Sequence, residues 1–262
     1  MKIIVCLKQV PDTAEVKINK ETGTLIRDGI PSIINPDDKS ALEEALRLKD
    51  ELGAHVTILT MGPVQAKNAI NEGLAMGADE GILISDRAFA GSDTWATATI
   101  LTAAIEKIGD YDIIFCGRQA IDGDTAQVGP EIAEFLNIPQ VTYVKKVEVD
   151  GDHVNVTRYS EDGDYLITTT FPVLFTAIKE LNFPRYPSVK GIINAFTENR
   201  IKVWSADDLV ADRTQIGLKG SPTKVFDTFV PVKSKQTEMI SGSSAKEKAV
   251  VLVNSLRELR II

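Results

Sequence analysis

The chain has 262 residues, of which 44% are apolar and 25% charged, and a formal net charge of −8. This composition is typical of a soluble globular protein, and the negative charge argues against nucleic acid as a partner, because that binding depends on basic residues. The only two cysteines, Cys6 and Cys116, form no disulfide scaffold or CxxC metal motif. No apolar run is long enough for a signal peptide or a membrane span, so we expect a cytoplasmic protein.

Apolar runs alternate with segments of helical period through the first half of the chain. The pattern predicts strands at 3–7, 56–59, 81–84 and 113–116, and helices at 37–52, 64–76 and 93–108. Strands without polar alternation are buried on both faces, and helical crossovers between them imply parallel neighbours. The predicted fold class is therefore α/β, with a doubly wound, mostly parallel, Rossmann-like sheet.

Two further stretches favour antiparallel strands. Residues 16–18 and 24–26 flank Glu21-Thr22-Gly23, which predicts a small hairpin. Residues 140–178 alternate apolar and polar side chains between acidic, glycine-containing turns, which predicts an antiparallel extension of the sheet.

Beyond Leu209 the regular pattern is lost until a final predicted helix at 245–259. Such a segment cannot fold compactly by itself, and we expect it to bury Phe226, Phe229 and Val230 on a partner. We therefore predict a nucleotide-binding α/β domain at 1–208 and an extended C-terminal arm at 209–262.

A polar loop interrupted by glycines, residues 117–130, follows the predicted strand at 113–116. In an open parallel sheet, ligands bind at the carboxyl ends of strands, and the next helix presents free N–H groups to an anion. The loop matches neither the Walker A nor the GxGxxG spacing. A nucleotide phosphate site is one interpretation, and a turn in which Asp122 and Thr125 cap the next helix is another.

A third interpretation of this loop is a magnesium site of a nucleotide-hydrolysing enzyme, with Asp122, Asp124 and Glu131 as oxygen ligands. That interpretation lacks a positioned lysine or histidine. His55 and His153 lie in unrelated segments, where we expect them on the surface. No nucleophile and base stand out as a pair, so the sequence predicts no catalytic residue.

The loop also carries a family resemblance. Gln119-Ala120-Ile121-Asp122, followed by Asp124, Gln127 and Gly129, resembles the nucleotide-binding signature of the beta subunit of electron transfer flavoproteins. The similarity extends from residues 5–8 through Asn35-Pro36 to residues 184–186. It implies that the backbone from Gln119 to Pro130 and the Thr125 hydroxyl hold phosphates, while Asp122 and Asp124 bind ribose or order the loop. The loop residues so assigned are Gly117, Arg118, Gln119, Ala120, Ile121, Asp122, Gly123, Asp124, Thr125, Ala126, Gln127, Val128, Gly129 and Pro130.

The resemblance also implies an adenosine pocket at one edge of the sheet. Backbone groups near Cys6 and Met61 would read the adenine, and Asn35 would help to close the pocket. Other members hold AMP there, but Asp37 and Asp38 replace less polar residues, so this corner differs in detail. The pocket residues are Cys6, Leu7, Lys8, Asn35, Asp37, Asp38, Met61 and Gly62.

Residues 89–98 bear on the branch within the family. One interpretation is a Ser/Asp helix cap with Trp95 in the core. The stretch also resembles the electron-bifurcating members, whose small subunit binds FAD rather than AMP, and residues 10–13 do likewise. That resemblance implies NADH as electron donor, with the alpha-subunit FAD and ferredoxin or flavodoxin as acceptors. The side chains concerned are Ser92, Asp93, Thr94 and Thr97.

The segment from Leu181 to Ile193 reads either as a plain proline-rich turn or, by the resemblance, as the loop that recognises an acyl-CoA dehydrogenase. Pro184, Arg185, Tyr186 and Val189 are the residues concerned, and Val189 stands at the anchoring position. The lysine-rich run common after this loop is replaced by residues 194–199, so the resemblance leaves the identity of the dehydrogenase open.

The sequence thus predicts an electron-carrier subunit paired with an alpha subunit. Two alternatives stay open: a conventional beta subunit whose AMP is purely structural, and a stand-alone adenine-nucleotide enzyme or stress module on the same fold. The C-terminal arm argues against the second alternative, because a self-sufficient module needs no such arm.

Overall fold

The computed structural model describes residues 1–12, 17–18, 25–26, 31–224, 226 and 237–262. It divides into two compact units, Met1–Phe226 and Asp227–Ile262. Leu209 and Ile216, which the sequence analysis placed in the arm, are buried in the core of the first unit. Phe226 is exposed, and Phe229 and Val230 lie outside the described residues.

A nine-stranded sheet forms the centre of the first unit, in the strand order β11-β10-β9-β12-β8-β1-β6-β7-β13. The strands, with two separate small pairs included, are β1 Lys2–Cys6, β2 Gln9–Pro11, β3 Lys17–Ile18, β4 Leu25–Ile26, β5 Ser32–Ile34, β6 His55–Met61, β7 Glu80–Ile84, β8 Ile113–Gly117, β9 Gln140–Asp150, β10 His153–Arg158, β11 Tyr165–Thr170, β12 Val173–Ala177 and β13 Ile201–Trp204. In the part of the sheet ordered β9-β12-β8-β1-β6-β7-β13, every strand is parallel to its neighbours. β10 is antiparallel to both β9 and β11.

Helices alternate with these strands along most of the chain. They are α1 Pro36–Leu52, α2 Lys67–Met76, α3 Thr94–Ile108, α4 Val128–Phe135, α5 Val189–Thr197, α6 Gly217–Gly220 and α7 Ala245–Glu258. Pro36 opens α1 and Gly53, at φ 70°, ends it in the left-handed conformation that glycine adopts without strain. Among the described helices, none is both long and apolar enough to cross a lipid bilayer.

Helices cover both faces of the sheet. Along β1, Ile3 and Val5 join the core cluster that contains α1 and α2, whereas Ile4 and Cys6 join the cluster that contains α3 and α4. Successive strand side chains point to opposite faces, so a strand buried on both sides is apolar throughout. This arrangement confirms the predicted α/β class with a doubly wound, mostly parallel sheet.

Some predicted elements need correction. β12 lies between β8 and β9, parallel to both, and all five of its residues are buried. The antiparallel extension predicted for 140–178 therefore includes β9, β10 and β11 but not β12. The sequence analysis gave no element for β13, and the predicted helix at 64–76 begins as a 3₁₀ turn, Val64–Ala66. The hairpin prediction is confirmed by the antiparallel pairing of β3 with β4, although its turn lies outside the described residues.

Candidate nucleotide-binding site

A cavity of about 640 Å³ opens at the carboxyl ends of β1, β6 and β8, where the N-termini of α3 and α4 meet. Its volume lies within the range of about 300–1,000 Å³ that is usual for cofactor sites. The predicted strand ends, the residues at the start of α3 and the loop before α4 are brought together here, as expected at a switch point of a parallel sheet. The predicted residues that line the cavity are Cys6, Leu7, Lys8, Asp38, Met61, Ser92, Asp93, Thr94, Thr97, Gly117, Arg118, Gln119, Ala120, Gly123, Thr125, Ala126, Gln127, Val128 and Gly129.

The other predicted cofactor residues do not line the cavity; they are Asn35, Asp37, Gly62, Ile121, Asp122, Asp124 and Pro130. Asn35 is fully buried, and its Nδ2 donates to the Gln119 carbonyl at 2.8 Å. The Ile121 N–H donates in turn to Asn35 Oδ1 at 3.1 Å. Asn35 therefore holds the loop in place through both of its amide atoms.

Asp38 joins the ends of two strands. Its Oδ2 accepts from the Lys8 N–H at 2.7 Å, and its Oδ1 accepts from the Gly117 N–H and from Asn35 Nδ2, each at 3.0 Å. Burial raises the pKa of Asp38 to about 7, although the bonds from Asn35, Lys8 and Gly117 oppose that rise. The Asp38 carboxyl therefore joins the end of β1 to the end of β8 within the cavity wall.

The loop before α4 has a strained backbone. Asp124 and Ala126 adopt φ values of 54° and 55°, which non-glycine residues rarely adopt. Such strain costs free energy and is typical of ligand sites. Gln119 Nε2 donates to Asp124 Oδ1, and Lys8 Nζ pairs with Asp122 at 2.8 Å, so side chains hold this shape.

The α4 N-terminus carries no side-chain cap. Its N-cap is Gln127, whose side chain makes no capping bond. The alternative in which Asp122 or Thr125 caps this helix is therefore wrong. The first N–H groups of a helix have no partner within it, and here they belong to residues of the cavity wall. This terminus is thus available to an anion in the cavity.

The α3 N-terminus is capped as predicted, because Asp93 Oδ1 accepts from the Ala96 N–H at 3.0 Å. Its Oδ2 accepts from the N–H and the hydroxyl of Thr223, both at 2.8 Å. Ser92 Oγ donates to the Phe89 carbonyl at 2.8 Å. The polar atoms of Ser92 and Asp93 are thus engaged with protein groups. Trp95 is 42% exposed and packs edge-on against Phe135, so its expected place in the core is wrong.

Several cavity residues were absent from the predicted set: Leu59, Phe89, Gly91, Trp95, Leu101, Cys116, Glu131, Pro222 and Thr223. Cys116 had a readable signal, since it ends a predicted strand beside the loop. No pattern in the sequence pointed to Pro222 and Thr223, because Thr223 reaches the site through its hydrogen bond with Asp93, which lies 130 residues earlier in the chain. Sequence reasoning considered Glu131 only as a magnesium ligand.

Two buried polar atoms in the cavity wall have no hydrogen-bond partner among the described residues. They are Arg118 Nε, a donor, and Glu131 Oε2, an acceptor. Arg118 Nε lies 3.4 Å from Asp37 Oδ2. Buried polar groups are almost always hydrogen-bonded, and a nucleotide supplies both phosphate acceptors and hydroxyl or N–H donors. The lining therefore fits a nucleotide chemically.

Within the described ranges, no group of three or more His, Cys, Asp or Glu side chains is arranged to hold a metal ion. The structure thus gives no support to the magnesium interpretation of Asp122, Asp124 and Glu131. His55 and His153 are exposed, as expected. Contact with Cys6 and, second to it, burial raise the pKa of the Cys116 thiol, and both cysteines are free and buried.

The predicted recognition segment lies away from this cavity. Arg185 Nη2 pairs with Glu43 at 2.9 Å and its Nη1 with Asp50 at 2.8 Å, which fixes the segment to α1. Tyr186 and Val189 are 93% and 77% exposed. Further exposed apolar side chains follow on or beside α5: Phe183, Ile192, Ile193 and Phe196. We call Phe183, Tyr186, Val189, Ile192, Ile193 and Phe196 the α5 patch.

Comparisons with known proteins confirm the family resemblance that the sequence showed. The family described as "Electron transfer flavoprotein domain" matches residues 22–209. The chain is 60% identical over 258 residues to "Electron transfer flavoprotein subunit beta" of Clostridium acetobutylicum, covering 98% of both chains. It is 58% identical over 262 residues to the protein of the same description from Thermoanaerobacterium thermosaccharolyticum, covering both in full. It is 51% identical over 263 residues to "Caffeyl-CoA reductase-Etf complex subunit CarD" of Acetobacterium woodii, again covering both in full.

Proposed function

We infer the function of this chain from the electron transfer flavoprotein family, to which it belongs as a beta subunit. Proteins of this family transfer electrons, and a beta subunit implies an alpha subunit as its partner. We propose a heterodimer whose alpha subunit carries one FAD, and we place it in the cytoplasm. The family disfavours the alternative of a stand-alone nucleotide enzyme or stress module.

The beta subunit in this proposal binds a second FAD in its own cavity. The observation that carries it is the extent of the cavity, which continues from the strand ends near Cys6 and Met61 to the N-terminus of α3 near Thr94 and Thr97. The strand-end side suits an adenosine. The loop before α4 suits phosphates, and the α3 side leaves room for the remainder of a dinucleotide.

The chain's own residues bind and orient the cofactor in this scheme. The backbone of residues 119–129 and the N-terminus of α4 hold the phosphates, with Asn35 and Asp38 keeping the loop and the strand ends in register. The ion pair between Lys8 Nζ and Asp122, at 2.8 Å, joins the end of β1 to the loop. Bound FAD supplies the capacity to accept a hydride and to release electrons singly.

We propose that the heterodimer takes electron pairs from NADH and divides each pair. One electron reaches the alpha-subunit FAD and then an acyl-CoA dehydrogenase, while the other reaches ferredoxin or flavodoxin. The relative CarD is described as a subunit of a caffeyl-CoA reductase–Etf complex, which supports a partner enzyme that acts on an acyl-CoA. The α5 patch, with Val189 as anchor, would contact that enzyme, because exposed apolar clusters of this kind mark interaction sites.

The deciding experiment counts nucleotides. The chain is co-purified with its alpha subunit, the complex is denatured, and the released nucleotides are separated by chromatography. Two FAD per heterodimer is the expected result. One FAD with one AMP would replace this proposal with the conventional single-flavin carrier, and a complex without any flavin would contradict the assignment to electron transfer.

NADH use needs a separate measurement. We expect NADH to bleach the visible flavin absorption of the heterodimer under anaerobic conditions, and to reduce ferredoxin or flavodoxin only when an acyl-CoA acceptor and its dehydrogenase are present. Reduction of ferredoxin without the acyl-CoA acceptor would contradict the division of electron pairs.

A further inference from the structure

The cavity wall contains one carboxyl group that the fold does not satisfy. Thr94 Oγ1 donates to Glu131 Oε1 at 3.1 Å, which joins α3 to α4. The second oxygen, Oε2, is buried and has no hydrogen-bond partner among the described residues. Leaving a buried acceptor unpaired costs free energy, so its presence in a cavity wall points to a partner supplied from outside the chain.

No cation neutralises Glu131 within the part of the chain that the structure describes: none of the Lys, Arg or His ion pairs found there includes it. Burial raises the pKa of Glu131, the Thr94 bond opposes that rise, and the charge of Asp93 adds to it. Asp93 itself is already engaged with Ala96 and Thr223. Glu131 is therefore the carboxyl on this side of the cavity that keeps an open acceptor.

The position of Glu131 separates two kinds of nucleotide. It lies with Thr94 on the α3 side, whereas the side assigned to the adenosine is formed by Cys6 and Met61 at the strand ends. A mononucleotide such as AMP ends in a phosphate that carries negative charge and has little to donate. A dinucleotide such as FAD continues beyond its phosphates with hydroxyl groups and a ring N–H, which are donors.

We propose that Glu131 is a specificity-determining residue of this cavity, whose Oε2 accepts a hydrogen bond from a hydroxyl or N–H donor in the half of FAD that AMP lacks. The same negative charge disfavours an anionic terminus at that point and so biases the site against AMP. This inference rests on the proposed function, because it names the residue by which the beta subunit distinguishes its ligand.

The test compares Glu131→Ala and Glu131→Gln in the purified heterodimer. Glu134→Ala is the matched control, because Glu134 lies one turn further along α4, is exposed and does not line the cavity. Each heterodimer is freed of nucleotide, and equilibrium dialysis then measures the binding of FAD and, separately, of AMP.

We expect Glu131→Ala to weaken FAD binding at the beta site about tenfold to a hundredfold, with AMP binding unchanged or tighter. Glu131→Gln keeps a carbonyl acceptor and should recover part of the FAD affinity. Glu134→Ala should match the wild type for both ligands.

The outcomes separate this inference from the function on which it rests. A wild-type beta site that binds AMP and refuses FAD overturns both. A wild type that binds FAD, together with a Glu131→Ala variant of equal FAD affinity, overturns the inference alone. Equal losses of FAD and AMP affinity in Glu131→Ala also overturn it, because they would show that Glu131 only holds α3 against α4.

Discussion

Asp38, a buried residue at the strand ends, makes the free energy of unfolding depend on pH. Its pKa is raised to about 7 by burial, so between about pH 4 and pH 7 the folded chain binds a proton that the unfolded chain has released. The free energy of unfolding contributed by Asp38 therefore falls as pH rises through that window. Three pKa units correspond to about 4 kcal/mol.

The measurement is urea unfolding of the wild type and of Asp38→Asn between pH 4 and pH 8. Because asparagine does not titrate, we expect the stability advantage of the wild type to shrink as pH rises. Asp86→Asn is the control. The Ala88 and Ala206 N–H groups lower the pKa of Asp86, so the stability advantage that Asp86 contributes should not fall as pH rises through this range. If the stability advantage of the wild type over Asp38→Asn grew with pH, the hydrogen bonds from Asn35, Lys8 and Gly117 would lower the pKa of Asp38 by more than burial raises it.

Gly117 is required at the end of β8 by close packing. A Cβ built there would lie 2.1 Å from Asp38 Oδ1 and 2.7 Å from the Asp38 backbone nitrogen. The Asp38 backbone cannot move aside without breaking the hydrogen bonds of the Asp38 carboxyl. We therefore expect Gly117→Ala to lower the free energy of unfolding by about 1–3 kcal/mol. Nucleotide retention should fall with it.

Gly123 provides the matched control for that substitution. It belongs to the same loop, but a Cβ there would meet nothing within 4 Å. Gly123→Ala should therefore leave stability within about 0.5 kcal/mol of the wild type in the same denaturation experiment. Equal effects of the two substitutions would contradict the packing explanation.

At the scale of elements, the segment before α5 depends on one arginine. Arg185 Nε contacts both Glu43 oxygens, at 3.1 Å and 2.9 Å, and the Arg185 N–H donates to Glu43 at 2.9 Å. Arg185→Ala would leave the largely buried Glu43 carboxylate without its cation. The pair is partly exposed and solvent screens it, so we expect a loss of about 1–2 kcal/mol in stability.

The same substitution should loosen the segment that carries the α5 patch, which proteolysis near residues 183–188 would detect. Arg213→Ala is the control, since its pair with Asp207 is exposed on both sides and should contribute little. Faster cleavage in Arg185→Ala alone is the expected result. Equal cleavage of both variants would mean that Glu43 does not hold the segment.

The elements that the sequence predicted well are those with local signals. The apolar strands and capped helices of the first half carry their own period and punctuation, so their bounds came within a few residues. β12 was misassigned although its own residues carry a signal: they form a mostly apolar run that is buried on both faces, like the parallel strands of the first half, but the run was grouped with the alternating stretch before it. β13 was missed because it is a short edge strand with two exposed residues.

The candidate site divides in the same way. The strand ends and the loop before α4 were predictable, because parallel topology gathers carboxyl ends at one edge. The contribution of Pro222 and Thr223 was not, since it depends on how a segment without regular pattern returns to α3. Glu131 was considered only as a magnesium ligand, because its hydrogen bond with Thr94 cannot be read from spacing along α4.

At the scale of the whole molecule, the two compact units should have separable roles. Both core clusters lie entirely within Met1–Phe226. In the second unit, α7 exposes a run of apolar side chains, Val250, Val251, Leu252 and Val253, each more than a third exposed. Such a surface on a helix without a buried face indicates a partner, and the proposed alpha subunit is the candidate.

We therefore expect a chain that ends at Phe226 to keep a cooperative thermal transition within a few degrees of the full chain but to lose its association with the alpha subunit. In the full-length chain, Leu252→Asp with Val253→Asp should weaken that association at least tenfold, because each places a charge in an apolar contact. Lys246→Ala with Glu258→Ala, on the same helix, should change it little. Size-exclusion chromatography of the mixed subunits measures the association. A truncated chain that still pairs with the alpha subunit would assign the heterodimer contact to the first unit instead.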